Sequence, residues 1–330
     1  MRSPQPTTEE QQALASLIPR IGRVHLHQRL GLERDFEAHV FRRGTHFFHI
    51  ENWYSIHGVI RTGLRVMGLH ARGQRNARKI VLRQHDLALA SVPEGFDGLT
   101  LLQLSDLHLD RPPGFVTSLI EALQPLTYDL CVLTGDYRSR TFGSFDAALD
   151  GLRELRPHLK GTVYAVLGNH DTIRMVPPME EAGYRLLLNE WVVLRREGDE
   201  LYLAGVDDPH FYRTDNFHRA GDEIPPHAFS VLLAHTPEAY RHAAHAGFKL
   251  MLCGHTHGGQ ICLPGGLPVL TDADSPRRLA RGPWRYHDMV GYTSAGVGTS
   301  VVDVRLNCPP EITLHRLRRA ATSSAPGART

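Results

Sequence analysis

Short apolar runs, each followed at once by a cluster of polar residues, are the feature of this chain that most constrains its fold. Runs of this length are typical of buried β-strands. Helical patterns over residues 115–123, 145–155 and 238–244 lie between some of them. This alternation predicts an α/β fold, in which functional residues follow the carboxyl ends of strands. The predicted strands cover residues 99–104, 130–133, 163–167, 192–194, 201–206, 231–233 and 250–252.

The composition is that of an ordinary globular protein of 330 residues, with 42% hydrophobic and 22% charged residues. A chain of this length can bury a sizeable core without disulfides. Its four cysteines form no CxxC motif, and Cys131 and Cys253 lie inside apolar runs, so we expect small buried hydrophobes in a reducing compartment. No secretory signal and no run of eighteen apolar residues is present, which predicts a cytoplasmic protein.

Three regions follow from charge and pattern. Residues 1–79 form a basic extension: up to residue 80 there are thirteen Arg and Lys against six Asp and Glu. Residues 80–317 carry the strand–helix alternation and form the expected catalytic domain. Residues 318–330 are small, polar and basic, which predicts a disordered tail.

An amphipathic helix is predicted within the extension, over residues 50–69. Its charged residues leave two interpretations open: the helix docks on the catalytic domain, or it lies on an anionic membrane surface such as the inner face of the plasma membrane. Its apolar residues recur at steps of three and four, at Trp53, Ile56, Ile60, Leu64 and Met67, and its basic residues are Arg61 and Arg65, with Arg72, Arg75, Arg78 and Lys79 after it.

Five polar clusters follow the apolar runs and together provide four His, two Asp and one Asn. Oxygen and imidazole donors without a thiolate suit Mn, Fe, Zn, Ni or Co. Seven donors exceed what one ion can use, so the set predicts two divalent metal ions about 3.5–4 Å apart. The predicted ligands are Asp106, His108, Asp136, Asn169, His235, His255 and His257.

The local spacing supports this interpretation. In Asp106-x-His108 and His255-x-His257 the two side chains of each pair would point to one face of an extended strand end. Glycines before Asp136, Asn169 and His255 would allow the backbone to turn sharply. Each motif alone is weak, since Gly-Asp is usually a turn, but five in this order at strand ends point to a metal site.

The series resembles the signature of calcineurin-like metallophosphoesterases, over roughly residues 81–317. The resemblance implies an α/β/β/α sandwich of four layers, with a mainly helical N-terminal extension. It also implies that Asp106, His108 and His257 hold one metal, that Asn169, His235 and His255 hold the other, and that Asp136 bridges them. His170 would assist the leaving oxygen, Asn169 would stabilise phosphoryl charge, and Asp171 would orient His170 through a carboxylate–imidazole hydrogen bond.

Later motifs, Gly258-Gly-Gln-Ile261 and Gly296-Val-Gly-Thr-Ser300 among them, are similar to a bacterial branch of that family. The branch contains membrane-associated phosphodiesterases and a UDP-2,3-diacylglucosamine pyrophosphatase of lipid A synthesis. Many members carry an acidic residue shortly after Gly-Asp, where this chain has Arg138 and Arg140. Either arginine could bind a second phosphate of a diphosphate substrate, and both could equally be solvated loop residues.

The resemblance therefore implies hydrolysis of a phosphodiester or diphosphate bond by a hydroxide that bridges two metals, with manganese expected. A lipid-linked substrate such as UDP-2,3-diacylglucosamine is the leading expectation. A general phosphodiesterase or phosphomonoesterase acting on soluble nucleotides or sugar phosphates is the alternative, and a non-catalytic scaffold is a third interpretation. No basic groove with interleaved aromatics is present in the catalytic region, so nucleic acid is not an expected partner.

Overall fold

Two six-stranded β-sheets form the centre of the molecule. A computed structural model describes residues 5–43, 54–110 and 114–320. The first sheet has the order β1-β12-β2-β3-β4-β5 and is parallel except between β12 and β2, and the second has the order β10-β11-β9-β8-β7-β6 and is antiparallel only at its two outer pairs. The strands are β1 (Val81–Leu89), β2 (Thr100–Leu104), β3 (Leu130–Leu133), β4 (Val163–Ala165), β5 (Tyr184–Leu186), β6 (Glu190–Arg196), β7 (Asp199–Gly205), β8 (Ser230–Leu233), β9 (Leu250–Cys253), β10 (Gly282–Tyr286), β11 (Met289–Thr293) and β12 (Glu311–Arg319).

Helices cover the outer face of each sheet. Apolar side chains of both sheets, such as Val132 and Leu252, meet in a buried layer between them. The other face of the first sheet packs against α6–α8, and that of the second against α9 and α10. This arrangement is the predicted α/β/β/α sandwich. The helices are α1 (Thr8–Ala15), α2 (Ile18–Ile21), α3 (Arg23–Arg43), α4 (Tyr54–Val66), α5 (His70–Ala77), α6 (Phe115–Leu123), α7 (Asp146–Leu155), α8 (Val176–Glu181), α9 (Phe217–Gly221) and α10 (Tyr240–His245).

The N-terminal helices pack on the sandwich at two separate places. Leu14, Ile21 and Leu26 of α1–α3 belong to the same apolar cluster as the helices that cover the first sheet. Leu64 of α4 packs instead against Val304 and its neighbours, in a small cluster near the chain's last strand. The two halves of the extension therefore pack at two different places on the sandwich.

Five strands lay outside the sequence prediction: β1, β5, β10, β11 and β12. β1 is an edge strand in which exposed polar residues interrupt the apolar ones, so the apolar pattern that predicts a strand is weak. β12 pairs with β1 along its whole length, including Ala88 with Arg318 and Leu89 with Arg319. The ordered chain therefore extends two residues past the expected boundary at residue 317, because this parallel ladder continues to Arg319.

Two sequence predictions fall partly outside the described residues. Trp53 and residues 50–52 of the predicted amphipathic helix lie there, while α4 occupies the rest of that prediction up to Val66. Residues 321–330 of the expected tail lie there as well. Among the helices that the structure describes, none combines the length and apolar character needed to cross a bilayer.

Candidate metal centre and active site

The seven predicted ligand side chains lie together at the carboxyl ends of the central strands. They follow β2, β3 and β4 in the first sheet and β8 and β9 in the second. Parallel neighbours end at the same sheet edge, and the two sheets face each other, so the loops of both sheets meet. None of the seven is more than 5% exposed. They are Asp106, His108, Asp136, Asn169, His235, His255 and His257.

One cluster consists of Asp106, His108 and His257. The Nε2 atoms of His108 and His257 lie 3.2 Å apart, and His257 Nε2 lies 3.5 Å from an oxygen of Asp106. Two imidazoles and a carboxylate thus direct donor atoms to a common point.

A second cluster consists of Asp136, His235 and His255. His235 Nε2 lies 3.2 Å from an Asp136 oxygen, 2.9 Å from Asn169 Oδ1 and 3.2 Å from His255 Nδ1. The two clusters adjoin, since the Asp106 carboxylate accepts the N–H of His255 at 3.0 Å. Asn169 therefore joins this cluster, as the family resemblance implies.

The outward-facing ring nitrogens show that these clusters fit metal ions. His108 Nδ1 lies 2.8 Å from the carbonyl oxygen of Arg138, and His235 Nδ1 lies 2.7 Å from that of Thr134. His255 Nε2 lies 2.5 Å from the Asp272 carbonyl. A carbonyl can only accept, so each outer nitrogen carries a proton and the inner nitrogen is the one that a metal ion could bind. Two divalent cations bound there would supply the charge that acidifies water and neutralises phosphoryl oxygens.

The backbone at these ligands is in an unusual conformation. Five of them have positive φ between 44° and 71°, where non-glycine residues are rare. Each such residue costs on the order of 1 kcal/mol or more, and clusters of them are typical of functional sites. The surrounding loops must therefore hold the conformation in place. The five residues are Asp106, His108, Asp136, His255 and His257.

Two glycines permit the close approach of these loops. A Cβ on Gly168 would lie 2.2 Å from Asp136 Oδ1, and one on Gly254 would lie 1.8 Å from Ser105 Oγ. Sharp backbone turns were expected at the glycines before three ligands. Gly135 does have a positive φ of 93°, whereas Gly168 and Gly254 are required by space alone.

Charges in the pair of clusters keep Asp136 ionised. Burial alone would raise its pKa, but the imidazoles of His235 and His170 outweigh burial and hold the pKa well below its usual range. Burial raises the pKa of Asp106 to about 6, and the negative charge of Asp136 adds to that effect. Asp136 is thus the carboxylate whose environment stabilises charge best, which suits the bridging position between two cations.

His170 projects into the same site from the loop after β4. Its ring centroid lies 5.6 Å from that of His108, and its Nε2 lies 3.9 Å from an Asp136 oxygen. The expected hydrogen bond from Asp171 to its ring is not what the structure shows. Thr141 Oγ1 lies 2.9 Å from His170 Nδ1 instead, so Thr141 is a contact of the ring that sequence reasoning missed.

Asp171 has a different role because its carboxylate turns back toward the main chain. It accepts the N–H groups of Asp136, Tyr137 and Gly168 at 2.8–2.9 Å. One buried carboxylate thereby joins the loops after β3 and β4 at the point where they carry Asp136 and Asn169. Asp171 shapes the metal centre through these amides.

The two predicted substrate arginines lie in different environments. Arg138 is buried, and its guanidinium donates to the carbonyl oxygens of His170, Gly143 and Thr141 at 2.5–3.1 Å. Arg140 is exposed. Arg138 thus helps to fix the His170 loop, while the binding of a second phosphate by either arginine stays a prediction.

Helix α3 contacts the loop that follows His170. Arg29 of α3 is fully buried; its Nη2 donates to the carbonyl oxygen of Asp171 at 2.9 Å, and its guanidinium lies 3.5 Å from the ring centroid of Tyr212. One turn later, Glu33 accepts the N–H of Ile173 at 2.8 Å and the hydroxyl of Thr172. The N-terminal helix thus braces the loop that carries Asn169 and His170.

A buried carboxylate completes this brace. Asp207 lies 3.7 Å from Arg29 and 3.1 Å from His25. Burial would raise the pKa of Asp207, but the charge of Arg29 and the hydrogen bond from His25 outweigh it and hold the pKa well below its usual range. No local sequence pattern signals these contacts, because Arg29 and Asp171 are 142 residues apart.

The fold and the site define a metal-dependent hydrolase. The family model for calcineurin-like phosphoesterases matches residues 99–259, which include all seven predicted ligands. The chain belongs to the calcineurin-like phosphoesterase family. It is accordingly a metal-dependent phosphoester hydrolase.

Curated bacterial relatives agree with this assignment. Metallophosphoesterase YkoQ of Bacillus subtilis (strain 168) is 29% identical, with 66% of this chain and 83% of the relative covered. Metallophosphoesterase YkuE of the same organism is 29% identical, covering 71% and 84%. Phosphodiesterase YaeI of Escherichia coli (strain K12) is 31% identical, covering 66% and 81%.

Replacing Gly168 by alanine should abolish the second metal site. The new Cβ would collide with Asp136 Oδ1, so the carboxylate and the loop must separate. Bound metal, measured by elemental analysis of the purified variant, should fall by at least one ion per chain. Gly31→Ala on α3 is the control, since its Cβ meets nothing within 4 Å. Full metal content in Gly168→Ala would contradict this account.

Replacing Arg29 by lysine should lower kcat about 10- to 100-fold, the effect typical of losing a group that supports a ligand-bearing loop. An ammonium cannot both donate to Asp171 and cover the Tyr212 ring. Steady-state kinetics should show the change mainly in kcat, because no substrate contact is removed. Arg20→Gln, which removes ion pairs to Glu180 and Glu190 away from this loop, serves as the control. If Arg29→Lys and Arg20→Gln both fold and have equal kinetic constants, Arg29 does not support the loop that carries His170.

Proposed function

We propose that this enzyme hydrolyses a phosphodiester or diphosphate bond in a lipid-linked substrate, with UDP-2,3-diacylglucosamine as the first candidate and manganese as the working metal. The observation that carries the hydrolytic part is the pair of adjoining buried clusters, each with three ligand atoms within 4.8 Å of one another. A diester is favoured because the relative YaeI is named a phosphodiesterase. The mixed carboxylate, amide and imidazole set without a thiolate is compatible with manganese.

A cavity next to His108 supports a substrate with an apolar portion. Its volume is about 230 Å³, and Ile80 and Phe115 line it together with Ala77 and Arg78. Arg78 is exposed and lies at the end of α5, so a cation and an apolar wall border the same space. This combination suits a phosphorylated group that carries a hydrocarbon part.

The chain's own residues would contribute to the reaction in defined ways. Asn169 and Asp136 hold their positions through the amide contacts of Asp171, so little reorganisation is needed when phosphoryl charge develops. His170, held at Nδ1 by Thr141, presents Nε2 toward the site and would donate a proton to the leaving oxygen. The burial of the ligands excludes water that would otherwise screen these charges.

Metal removal and replacement tests the hydrolytic proposal. The metal-stripped protein should hydrolyse bis-p-nitrophenyl phosphate only after addition of a divalent ion, with Mn compared against Zn, Ni, Co, Fe and Mg. Asp136→Asn should lose about 1,000-fold or more in rate, since several kcal/mol of charge stabilisation depend on the metals. Asp150→Asn, at an exposed carboxylate of α7, is the matched control. Full activity of metal-free protein would refute the proposal.

The proposal of a lipid-linked substrate is tested by comparing substrates with and without acyl chains. UDP-2,3-diacylglucosamine in detergent should be cleaved with release of UMP at a higher kcat/KM than UDP-glucose, which has the same diphosphate but no acyl chains. Equal values would favour the general phosphodiesterase acting on soluble nucleotides. Bound metal without turnover of any of these compounds would favour the non-catalytic scaffold.

Replacing His170 by glutamine should slow hydrolysis according to the leaving group. An alkyl phosphodiester needs protonation of its departing oxygen and should lose about 100-fold or more, whereas the p-nitrophenyl ester should lose much less. Metal content measured in parallel should be unchanged, because His170 is not among the clustered ligands. Equal losses for both esters would show that His170 does not act as the acid.

A further inference from the structure

The described residues expose large apolar side chains mainly in two segments. Nine such side chains are more than 40% exposed, and seven of them lie in residues 59–67, on or just after α4, or in residues 263–270. We call these seven the apolar rim. The rim consists of Val59 (71%), Val66 (83%) and Met67 (62%), with Leu263 (52%), Leu267 (55%), Val269 (56%) and Leu270 (53%).

The two segments are connected through Ile261, which contacts both. Ile261 packs in the small apolar cluster that contains Leu64 of α4, and its carbonyl accepts the N–H of Val269 at 3.2 Å. At 100° per residue, Val59 and Val66 extend the apolar face of α4 beyond the Ile60 and Leu64 side that packs on the protein. The helix is therefore docked on the protein and still presents an apolar strip outward.

On the helical side of the rim, the charge has one sign. Residues 54–79 contain six Arg and Lys and no Asp or Glu. All six are exposed: Arg61, Arg65, Arg72, Arg75, Arg78 and Lys79. Exposed apolar side chains next to exposed cations match the two parts of an anionic bilayer, its hydrocarbon boundary and its phosphate headgroups.

Both segments of this surface also reach the metal centre. The chain that carries Leu270 continues to Asp272, whose carbonyl holds His255. In the helical segment, Ala77 and Arg78 at the end of α5 line the same cavity as His108. A membrane on this surface would thus border the space beside the metal ligands.

We propose that the apolar rim and the six cations form a docking surface for anionic membranes, which brings a lipid-linked substrate to the cavity beside His108. The inference rests on the proposed function for the identity of the substrate, while the docking itself can be measured without turnover. This proposal combines the two interpretations of the basic helix, because one side of α4 packs on the protein and another side would contact lipid.

Vesicle flotation with the full-length, metal-loaded protein tests the docking surface. Vesicles of phosphatidylcholine alone are compared with vesicles that also contain phosphatidylglycerol, at low and high salt. The protein should float with the anionic vesicles, and added salt should weaken binding. The double variants Val66→Ser with Met67→Ser, Leu267→Ser with Leu270→Ser, and Arg61→Gln with Arg65→Gln should each bind at least about tenfold more weakly.

Matched controls distinguish binding through this surface from nonspecific binding to vesicles. Val24→Ser removes an equally exposed apolar side chain on α3, outside the rim, and should leave flotation unchanged. Deleting the whole extension is unsuitable, because α1–α3 contribute to the core. Hydrolysis of bis-p-nitrophenyl phosphate should be the same in every variant, which shows that the fold and the metal centre are intact.

The outcomes distinguish the two proposals. Turnover without flotation would overturn the docking surface and leave the hydrolytic function standing. Flotation without turnover would leave docking standing and refute the proposed function. Equal binding to neutral and anionic vesicles would overturn the assignment of an anionic membrane as the partner. Self-association of the unsubstituted protein, if the rim variants abolish it, would overturn that assignment as well.

Discussion

Main-chain contacts between strand-end loops hold the whole site in place. The Asp171 carboxylate accepts three amide N–H groups from the loops after β3 and β4, and the Asp106 carboxylate accepts the His255 N–H across the two sheets. These bonds lie in a buried region, where leaving an amide unpaired is costly. They stabilise five ligands with positive φ, so the donor atoms are brought together by the protein itself.

The N-terminal extension has two parts with different physical roles. α1–α3 share the core of the sandwich and place a buried guanidinium against the loop that carries His170. A buried charge is tolerated there because Asp207 and Glu33 surround it. α4 and α5 instead pack on a small separate cluster and leave cations and apolar side chains in contact with solvent. The first part supports the catalytic loop, and the second faces outward beside the site.

Seven of the twelve strands and the candidate metal ligands could be predicted from sequence because their signals are local. A buried parallel strand is a continuous apolar run, as in β3 and β9, and helix α6 has the predicted bounds, residues 115–123. Ligand spacing such as Asp106-x-His108 is also local. The edge strand β1 was missed because it mixes apolar and polar residues in the way a half-exposed strand must.

The sequence by itself determined the alternation of strands and helices, the seven ligand-type residues and their order along the chain, since each depends on neighbours within a few positions. Only the tertiary structure decided which groups support them. Thr141 rather than Asp171 contacts the His170 ring, Arg138 binds carbonyl oxygens, and Arg29 reaches Asp171 from 142 residues away. Such contacts are made by main-chain groups, which every residue has, or by distant side chains, so no pattern in the sequence could signal them.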